Sequence, residues 1–274
     1  FYGVHADKKE VVFREWAPNA VAVYLIGDVN GWRKDERYRL KNTGSGNWEL
    51  RLPVSEMPHG SLYKWYVEWN GGSGERLPAY ATRCVQDPDT KIFSAQVWLP
   101  PKKYRWKHTR FVPHNRCPLI YEAHIGMSSE EEKVASFSEF RQNVLPRIRD
   151  LGYNTLQLMA LQEHPYYGSF GYQVSNFFAL SSRFGTPEEF KALVDEAHGM
   201  GIAVVMDLVH SHAVDNEVEG LGMLDGTEYI YCHAGARGRH PAWGSRCFNY
   251  GKPSTVHFLL SNIKFWMEEY HIDG

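Results

Sequence analysis

The sequence has few cysteines for its size, and none of them forms a recognisable pair. Cys84, Cys117, Cys232 and Cys247 lie far apart in a chain of 274 residues, with no C-x-x-C spacing. This pattern is typical of free thiols in a reducing compartment, and it disfavours a disulfide framework or a zinc knuckle. We therefore expect a cytoplasmic protein.

The chain also lacks an excess of charge of either sign, because 30 Lys and Arg residues stand against 32 Asp and Glu residues. Balanced charge does not favour nucleic acid or an anionic membrane as a partner. No apolar run approaches the roughly 20 residues that span a bilayer. Residues 1–7 do not have the pattern of a signal peptide, although a trimmed signal stays open because residue 1 is not Met.

Neither the dinucleotide pattern G-x-G-x-x-G nor the phosphate loop G-x-x-x-x-G-K occurs in the sequence. This absence disfavours a nucleotide-binding protein. Aromatic residues, in contrast, are abundant, with 9 Trp and 16 Tyr. Most of them are expected to serve the core, but flat apolar rings with polar rims also suit the C–H face of a sugar. Carbohydrate is the ligand class that this composition favours.

Residues 1–99 have the pattern of short strands in a β-sandwich. Trp48, Leu50 and Leu52 share one face of a strand, and Tyr63, Trp65, Val67 and Trp69 share a face of another, with Lys64 and Glu68 pointing away. Asn30-Gly31 and Asn70-Gly71-Gly72 are turn signals between such strands. The stretch 100–117 is basic, contains prolines and has no periodicity, so we interpret it as a linker.

Residues 118–274 alternate between buried-type strands and amphipathic helices. Strands are predicted at 119–125, 155–161 and from 202 onwards, and capping boxes at Ser136–Glu139 and Thr186–Glu189 open two helices. The predicted buried faces comprise Phe137, Phe140, Val144, Ile148 and Leu151 in the first helix and Phe190, Leu193, Val194 and Ala197 in the second. The apolar face of a third helix comprises Val256, Leu259, Leu260, Ile263, Met267 and Tyr270. This alternation predicts right-handed βαβ units in an open sheet or a barrel.

The third strand turns polar where it ends, at Asp207-Leu-Val-His-Ser-His212. In parallel α/β proteins ligands bind at this edge, so we expect the functional site here. Two long inserts, 162–183 and 210–253, leave from the same edge, and structureless connections of that length are uncommon unless they are functional. They contain Tyr166 to Gln173, Asp225-Gly-Thr227 and Arg237 to Trp243, which suit a polyhydroxylated ligand.

Several of these segments together resemble a known family. Asp207-Leu-Val-His-Ser-His212 resembles the first signature region of the α-amylase family, and Gly168-Ser-Phe-Gly-Tyr-Gln173 narrows the resemblance to 1,4-α-glucan branching enzymes. Glu15-Trp-Ala-Pro18 and Gly27-Asp-Val-Asn-Gly-Trp32 resemble the glycogen-binding module that precedes the barrel in those enzymes. The resemblance covers nearly the whole chain. It implies a multidomain protein, with an immunoglobulin-like β-sandwich followed by the first part of a (β/α)8 TIM barrel that is incomplete in this chain.

The resemblance also implies roles for individual residues. Tyr172 matches the tyrosine beneath the sugar next to the scissile bond, His212 a histidine that hydrogen-bonds this sugar, and Asp207 an aspartate that holds an active-site arginine. His210 we interpret as packing or loop anchoring. In the second insert we expect Trp243 to bind substrate. In the sandwich we expect Asn30, Gly31 and Trp32 to bind glucan, with Trp48 as a weaker candidate because its alternation also favours the core.

The family's nucleophile and general acid are expected beyond Gly274, and Asp273 does not fit the nucleophile's Arg-x-Asp pattern. The chain alone is therefore expected to be inactive and to require the remainder of its barrel. Without it, we expect a strand edge and the apolar face that bears Leu260, Ile263 and Met267 to be exposed. The implied activity is retaining transfer from an α-1,4 bond to a 6-hydroxyl of an α-1,4-glucan, which needs no cofactor. Three alternatives stay open: a debranching or other α-amylase-family glycosidase, a glucan-binding fragment without chemistry, and a metal-dependent hydrolase that uses His210, His212 and Asp207.

Overall fold

A computed structural model of the chain describes residues 1–113 and 117–274. The first part is a sandwich of two antiparallel sheets around one apolar core. One sheet has the order β1-β2-β5-β4, and the other has the order β3-β6-β9-β8 with β7 added beside β6. The strands are β1 Gly3–Ala6, β2 Glu10–Trp16, β3 Ala20–Gly27, β4 Lys41–Gly44, β5 Asn47–Pro53, β6 Leu62–Trp69, β7 Gly72–Arg76, β8 Cys84–Gln86 and β9 Phe93–Gln96.

Period-two alternation determines which side chains fill this core. The predicted inward faces of β5 and β6 are confirmed, since Trp48, Leu50, Leu52, Tyr63, Trp65 and Val67 are all buried. Trp69 is only partly buried, and it packs at the margin of the same core. Asn70-Gly71 forms the tight turn between β6 and β7, where Trp69 pairs with Gly72 and Gly71 has a φ of 92°. Glycine is suited to this positive φ because it has no Cβ.

Lys64 departs from the expectation that it points into solvent. It lies on the face of β6 opposite the core, yet its exposed fraction is only 4%. Its ammonium group donates to Glu75 on β7 at 3.0 Å and lies 5.9 Å from the ring centre of Trp32. The β6–β7 hairpin and the loop after β3 cover this side chain. The period-two pattern of a strand does not show whether another segment packs over its outer face.

The second part contains three parallel strands in the order β10-β11-β14, as the alternation of strands and helices predicted. The strands are β10 Ile120–Ala123, β11 Thr155–Leu158 and β14 Ala203–Met206. The helical segments are α1 Phe137–Glu139, a π-turn Phe140–Val144, α2 Leu145–Asp150, α3 Pro187–Gly199 and α4 Pro253–Tyr270. After α4, the N–H of Asp273 donates to Val204 at 2.8 Å, so the chain there begins to pair beside β14.

The helix α3 confirms the sequence-based prediction in detail. The carboxylate of Glu189 accepts the backbone N–H of Thr186 at 2.7 Å, the Thr186 hydroxyl accepts the N–H of Glu189 at 3.3 Å, and Pro187 occupies the first turn. Such a box satisfies two of the donors that a helix start leaves free. The four apolar residues predicted to be buried have no exposed surface: Phe190, Leu193, Val194 and Ala197.

The helix before β11 begins at the predicted capping box but does not keep its predicted register. The N–H of Leu145 bonds the carbonyl of Phe140, five residues earlier, which makes a π-turn. Pro146 follows and has no N–H for an ordinary helical bond. The extra residue places Leu145 in the core, leaves Val144 half-buried and leaves Leu151 70% exposed, so the prediction that Leu151 is buried is wrong.

The apolar face of α4 is only partly buried. Leu259 and Tyr270 are buried, whereas four apolar residues are exposed: Val256, Leu260, Ile263 and Met267. For Leu260, Ile263 and Met267 this exposure confirms the prediction. Two polar residues of α4 are also buried, and each has a hydrogen-bond partner in the interior. The Thr255 hydroxyl donates to the carbonyl of Tyr231 at 2.7 Å, and the Asn262 amide donates to that of Phe177 at 2.7 Å. In the described parts of the chain, no helix is long and apolar enough to cross a membrane.

The segment predicted as a linker is held against α3 by one buried carboxylate. Asp195 accepts hydrogen bonds from the hydroxyl of Tyr104 and from the backbone N–H groups of Lys107 and His108, each at 2.9 Å. Residues 100–113 therefore follow the surface of the helix. Positions 114–116 of the predicted linker, 100–117, lie outside the described residues.

Both inserts contain strands of their own. The first holds β12 Gln162–Glu163 and β13 Asn176–Leu180, which pair antiparallel. The second holds β15 His212–Val214, β16 Arg239–His240 and β17 Ser245–Cys247, in the order β15-β17-β16. Their backbone hydrogen bonds give both inserts a defined shape above the C-terminal ends of the parallel strands.

Candidate functional site

Asp207 directly follows β14 and brings residues from two neighbouring elements together. Its carboxylate accepts a hydrogen bond of 2.8 Å from the hydroxyl of Tyr172 and one of 3.0 Å from the side-chain amide of Gln157 on β11. Burial, and then the hydrogen bond to Asp207, raise the pKa of Tyr172 to about 12. The tyrosine is therefore a neutral hydrogen-bond donor with a fixed ring at physiological pH.

The position of Tyr172 depends on an unusually close approach of the backbone before it. Gly171 has a φ of 92°, and a Cβ at this residue would lie 2.1 Å from the carbonyl oxygen of Ala160, just beyond β11. Phe170 also has a positive φ, 52°. Only glycine fits against the strand end in this way, so the turn brings the next residue, Tyr172, over the edge of the sheet.

His212, the first residue of β15, contacts the backbone of the first insert. Its Nε2 lies 2.9 Å from the carbonyl oxygen of Tyr172, and its Nδ1 lies 2.9 Å from the hydroxyl of Ser211. Because a carbonyl can only accept, Nε2 carries the proton and Nδ1 accepts from Ser211. His212 thus fixes the backbone of Tyr172, and both of its ring nitrogens have protein partners.

Trp243 forms an exposed aromatic wall next to this pair. It is 56% exposed, and its ring lies 5.3 Å from that of His212 and stacks on His240 at 4.1 Å. The side-chain amide of Gln173 donates to the carbonyl of Trp243 at 3.0 Å. This bond joins the two inserts, so three residues predicted to serve the site, Tyr172, His212 and Trp243, lie together with Asp207.

His210 points away from this group. Its Nε2 lies 2.9 Å from the side-chain oxygen of Asn262, its carbonyl accepts the hydroxyl of Tyr250, and burial lowers its pKa. It therefore anchors the loop. Within residues 1–113 and 117–274, no group of three or more His, Cys, Asp or Glu side chains is placed to hold a metal ion. The separate partners of His210 and His212 give the metal-dependent alternative no geometric support.

The predicted glucan-binding residues of the sandwich fall into two groups. Trp32 is 38% exposed on the loop after β3, and Asn30 shapes this loop by accepting the N–H of Gly27 at 3.0 Å and donating to Leu25 at 2.8 Å. Gly31 between them has a φ of 62° and open space around its Cα. The loop therefore presents the indole at the surface.

Trp48 belongs to the core and not to this surface. It is 3% exposed, and its indole N–H donates to the carbonyl of Ala17 at 3.0 Å. A ring without an open face cannot stack on a sugar, so the structure contradicts Trp48 as a glucan contact. The alternation with Leu50 and Leu52 had already favoured this core position.

Sequence reasoning missed two residues that contribute to the site. Gln157 holds the second oxygen of Asp207, and His240 supports the ring of Trp243 from below. A signal for Gln157 was present, because it is a polar residue between Leu156 and Leu158 in a strand that is otherwise apolar. His240 had no such signal, since its role depends on how the second insert folds.

Comparison with known families assigns both parts of the chain. Residues 1–82 match the family described as Carbohydrate-binding module 48 (Isoamylase N-terminal domain), and residues 142–219 match the family described as Alpha amylase, catalytic domain. The second match includes Tyr172, Asp207 and His212. The chain therefore contains a carbohydrate-binding module 48 followed by part of an α-amylase catalytic domain.

The chain is also similar along nearly its whole length to curated proteins with a more specific name. The chain is 48% identical to the 1,4-alpha-glucan-branching enzyme of Yarrowia lipolytica, over 100% of the chain and 41% of the relative. It is 50% identical to the enzyme of the same name from Aspergillus oryzae, over 97% of the chain and 39% of the relative. The chain thus spans about two fifths of the length of these relatives.

Solved structures support the fold. The pullulanase of Paenibacillus barengoltzii, solved with maltohexaose and alpha-cyclodextrin, superposes with a TM-score of 0.81 at 20% identity. The superposition covers 100% of the chain and 48% of that structure. The predicted sandwich followed by the first part of a TIM barrel is confirmed at the level of fold.

Proposed function

We propose that the protein is a 1,4-α-glucan branching enzyme, which cleaves an α-1,4 bond and rejoins the released segment through an α-1,6 bond. The observation that carries the proposal is the 46–50% identity to branching enzymes along nearly the entire chain, combined with the cluster of Tyr172, Asp207 and His212. Because the chain spans only part of those relatives, the activity and the glucan substrate are proposed for the protein that carries these domains.

In the proposed reaction, the bond between C1 of one glucose and O4 of the next breaks while an acid protonates O4. A carboxylate holds C1 covalently, and the 6-hydroxyl of a glucan then attacks C1 and gives its proton to the conjugate base. The role proposed for the residues described above is to shape the sugar site around this chemistry.

Tyr172 is proposed to form the flat floor beneath the sugar next to the scissile bond. The transition state has a flattened, positively charged ring, which favours an aromatic face below it. Asp207 keeps the ring of Tyr172 in place through the bond of 2.8 Å, and it brings a carboxylate close to the developing charge. His212 is proposed to hold the backbone of this floor, and Trp243 to stack on a neighbouring glucose.

The sandwich is proposed to hold glucan outside the reaction site, with the exposed ring of Trp32 as the platform. The ammonium group of Lys64 lies 5.9 Å from the centre of this ring. The ring is 38% exposed, and its exposed surface is proposed to stack on the C–H face of a glucose. This contact would tether a polymer and does not need to take part in the transfer.

The experiment is an incubation of the full-length protein with amylose, followed by counting of α-1,6 linkages by proton NMR and of reducing ends. We expect new α-1,6 linkages, loss of iodine colour and no increase in reducing ends, because each cleavage is followed by transfer. Release of linear chains from pullulan or amylopectin would support a debranching enzyme instead. Binding of amylose without either product would support a glucan-binding protein without chemistry.

A further inference from the structure

We propose that the β-sandwich positions the sugar-facing wall of the catalytic domain through a contact between Asn19, at the surface of the sandwich, and the buried Asp225. In this proposal Asp225 is a positioning residue for His212 and Trp243. The proposal rests on the proposed function, because that function gives His212 and Trp243 their place beside the substrate. It assigns the sandwich a second task in addition to holding glucan.

The contact is centred on a carboxylate with no access to water. Asp225, in the second insert, has an exposed fraction of 0%. Its Oδ2 accepts hydrogen bonds from the backbone N–H of Asn19 at 3.1 Å and from its side-chain amide at 2.7 Å. Its Oδ1 accepts from the N–H of Thr227 at 3.1 Å and from its hydroxyl at 2.6 Å. The sequence suggested that Asp225-Gly-Thr227 faces the ligand, but it faces the sandwich.

The residues next to Asp225 also contact the sandwich directly. Gly226 has a φ of 84°, and a Cβ there would lie 2.0 Å from Cγ of Trp69, so the backbone of the insert lies directly on the indole. Arg76 donates from Nε to the carbonyl of Met223 at 2.7 Å, and its guanidinium lies 4.9 Å from the centre of the Trp69 ring. The insert therefore has a fixed position on the sandwich.

An ion pair between the half-buried Glu228 and the buried Arg246 connects this contact to the sheet of the insert. Glu228 follows Thr227 directly, and its side chain accepts from Nη1 of Arg246 at 3.2 Å. Nη2 of Arg246 donates to the carbonyl of the same Glu228 at 2.6 Å. Arg246 is 1% exposed, so a shift of Glu228 would leave a buried guanidinium without partners. The two residues are therefore expected to move together.

Arg246 is the central residue of β17, and both predicted sugar contacts depend on this strand. It pairs with Ala213 on β15, where His212 is the first residue, and with Arg239 on β16. Trp243 lies in the connection between β16 and β17, stacked on His240. The path from Asn19 to His212 and Trp243 thus runs through direct contacts alone, which is the physical requirement for mechanical coupling.

The test uses Asn19→Asp in the full-length protein, with Asn42→Asp as the matched control. The first substitution keeps the shape of the side chain but places a second carboxylate directly against the buried carboxylate of Asp225, and this repulsion between like charges is unfavourable. The control adds the same charge on β4, where Asn42 accepts the N–H of Gly44 at 2.8 Å, a bond that Asp retains. Asn19→Ala, which removes one donor of an exposed side chain, is a milder third variant.

Two measurements decide the proposal: hydrogen exchange in peptides covering 210–214 and 239–247, and kcat for amylose well below the melting temperature. For Asn19→Asp we expect faster exchange in both peptides and a kcat lower by about tenfold, with glycogen retention unchanged. Asn19→Ala should change kcat by about threefold in the same direction, and Asn42→Asp should change neither quantity.

Unchanged exchange in Asn19→Asp would overturn the coupling between the domains. Faster exchange with the kcat of the unmodified protein would overturn the positioning role, because the contact would then stabilise the insert without affecting the site. If the unmodified protein forms no branches, the proposed function fails, whereas the exchange comparison still supports or overturns the coupling on its own.

Discussion

The indole nitrogen of Trp65 donates a hydrogen bond of 3.1 Å to the carboxylate of Glu15, and both side chains are 1% exposed inside the sandwich. The backbone N–H of Ala79 donates to the same oxygen at 2.9 Å, and that of Trp16 to the other oxygen at 3.0 Å. Burial nevertheless raises the pKa of Glu15 to about 7, because the lost hydration of the charged form outweighs these hydrogen bonds.

This raised pKa predicts that alkaline pH destabilises the protein through Glu15. A carboxyl with a folded-state pKa above its ordinary value of 4.5 contributes stability below that value and loses the contribution as pH rises through about 7. The free energy of unfolding should therefore fall between pH 5 and 8 by about 2–3 kcal/mol more in the unmodified protein than in Glu15→Gln. Urea unfolding at several pH values measures this difference. Equal slopes for the two proteins would contradict the assignment.

The exposed ring of Trp32 predicts a separation of binding from stability. Trp32→Ala should weaken retention on glycogen while the melting temperature changes little, because the ring is outside the core. Trp48→Ala is the matched control, since the same deletion in the core should cost about 3–5 kcal/mol. Affinity electrophoresis in glycogen gels and thermal unfolding give both values. A large loss of stability in Trp32→Ala with normal retention would show that the loop supports the fold.

Two substitutions separate the floor of the site from its hydrogen bond. Tyr172→Phe keeps the ring and removes only the donor to Asp207, so kcat should fall by about tenfold. Tyr172→Ala removes the floor itself, and kcat should fall by orders of magnitude without unfolding of the protein. Branching rates at saturating amylose, with circular dichroism as a check on folding, measure these effects. Near-normal activity of Tyr172→Ala would refute the proposed stacking.

His212→Ala should also lower kcat by orders of magnitude, because it releases the backbone of Tyr172 as well as any contact with sugar. The control is His210→Ala, at a histidine that anchors the loop through Asn262 and Tyr250. The control should lower the melting temperature but leave the kcat of the folded enzyme nearly unchanged. If the two variants lose the same activity per folded molecule, the distinction between site and anchor is wrong.

Gly171 allows a test of backbone placement alone. Gly171→Ala would bring a Cβ to 2.1 Å from the carbonyl of Ala160, so the turn must shift and carry Tyr172 with it. Gly201→Ala is the control, since Gly201 also has a positive φ, 78°, but nothing lies within 4 Å of its Cβ position. Both should lose about 1 kcal/mol or more from strain. Only Gly171→Ala should lose most of its activity per folded molecule, as measured by branching of amylose.

The sequence predicted features that depend on residues close together along the chain. It did not predict contacts between residues that are far apart along the chain. Capping boxes and periodicity predicted the start and the core face of α3 because those depend on neighbours along the chain. On α4, the burial of Thr255 and Asn262 was not predicted, because their partners, Tyr231 and Phe177, lie far away along the chain.

The same distinction between local features and long-range contacts holds for the candidate functional site. Motif resemblance identified Asp207, Tyr172 and His212, and the structure brings them together, although their roles remain proposals. The orientation of Asp225 could not be predicted, because an aspartate before a glycine has the same pattern whether it faces a ligand or another domain. Only the packing of Gly226 against Trp69 decides between the two, and these residues are separated by more than half of the chain.

The attachment of residues 104–108 to Asp195 has a consequence for how a polymer would reach the site. A flexible tether gives a bound chain an effective concentration that depends on tether length. Here the hydrogen bonds to Tyr104, Lys107 and His108 fix the path of residues 104–108 along α3. For a glucan bound at both Trp32 and Tyr172, the distance between these two residues then sets a minimum length. Shorter glucans gain nothing from binding at Trp32, and the effective concentration is highest for glucans that just span the distance.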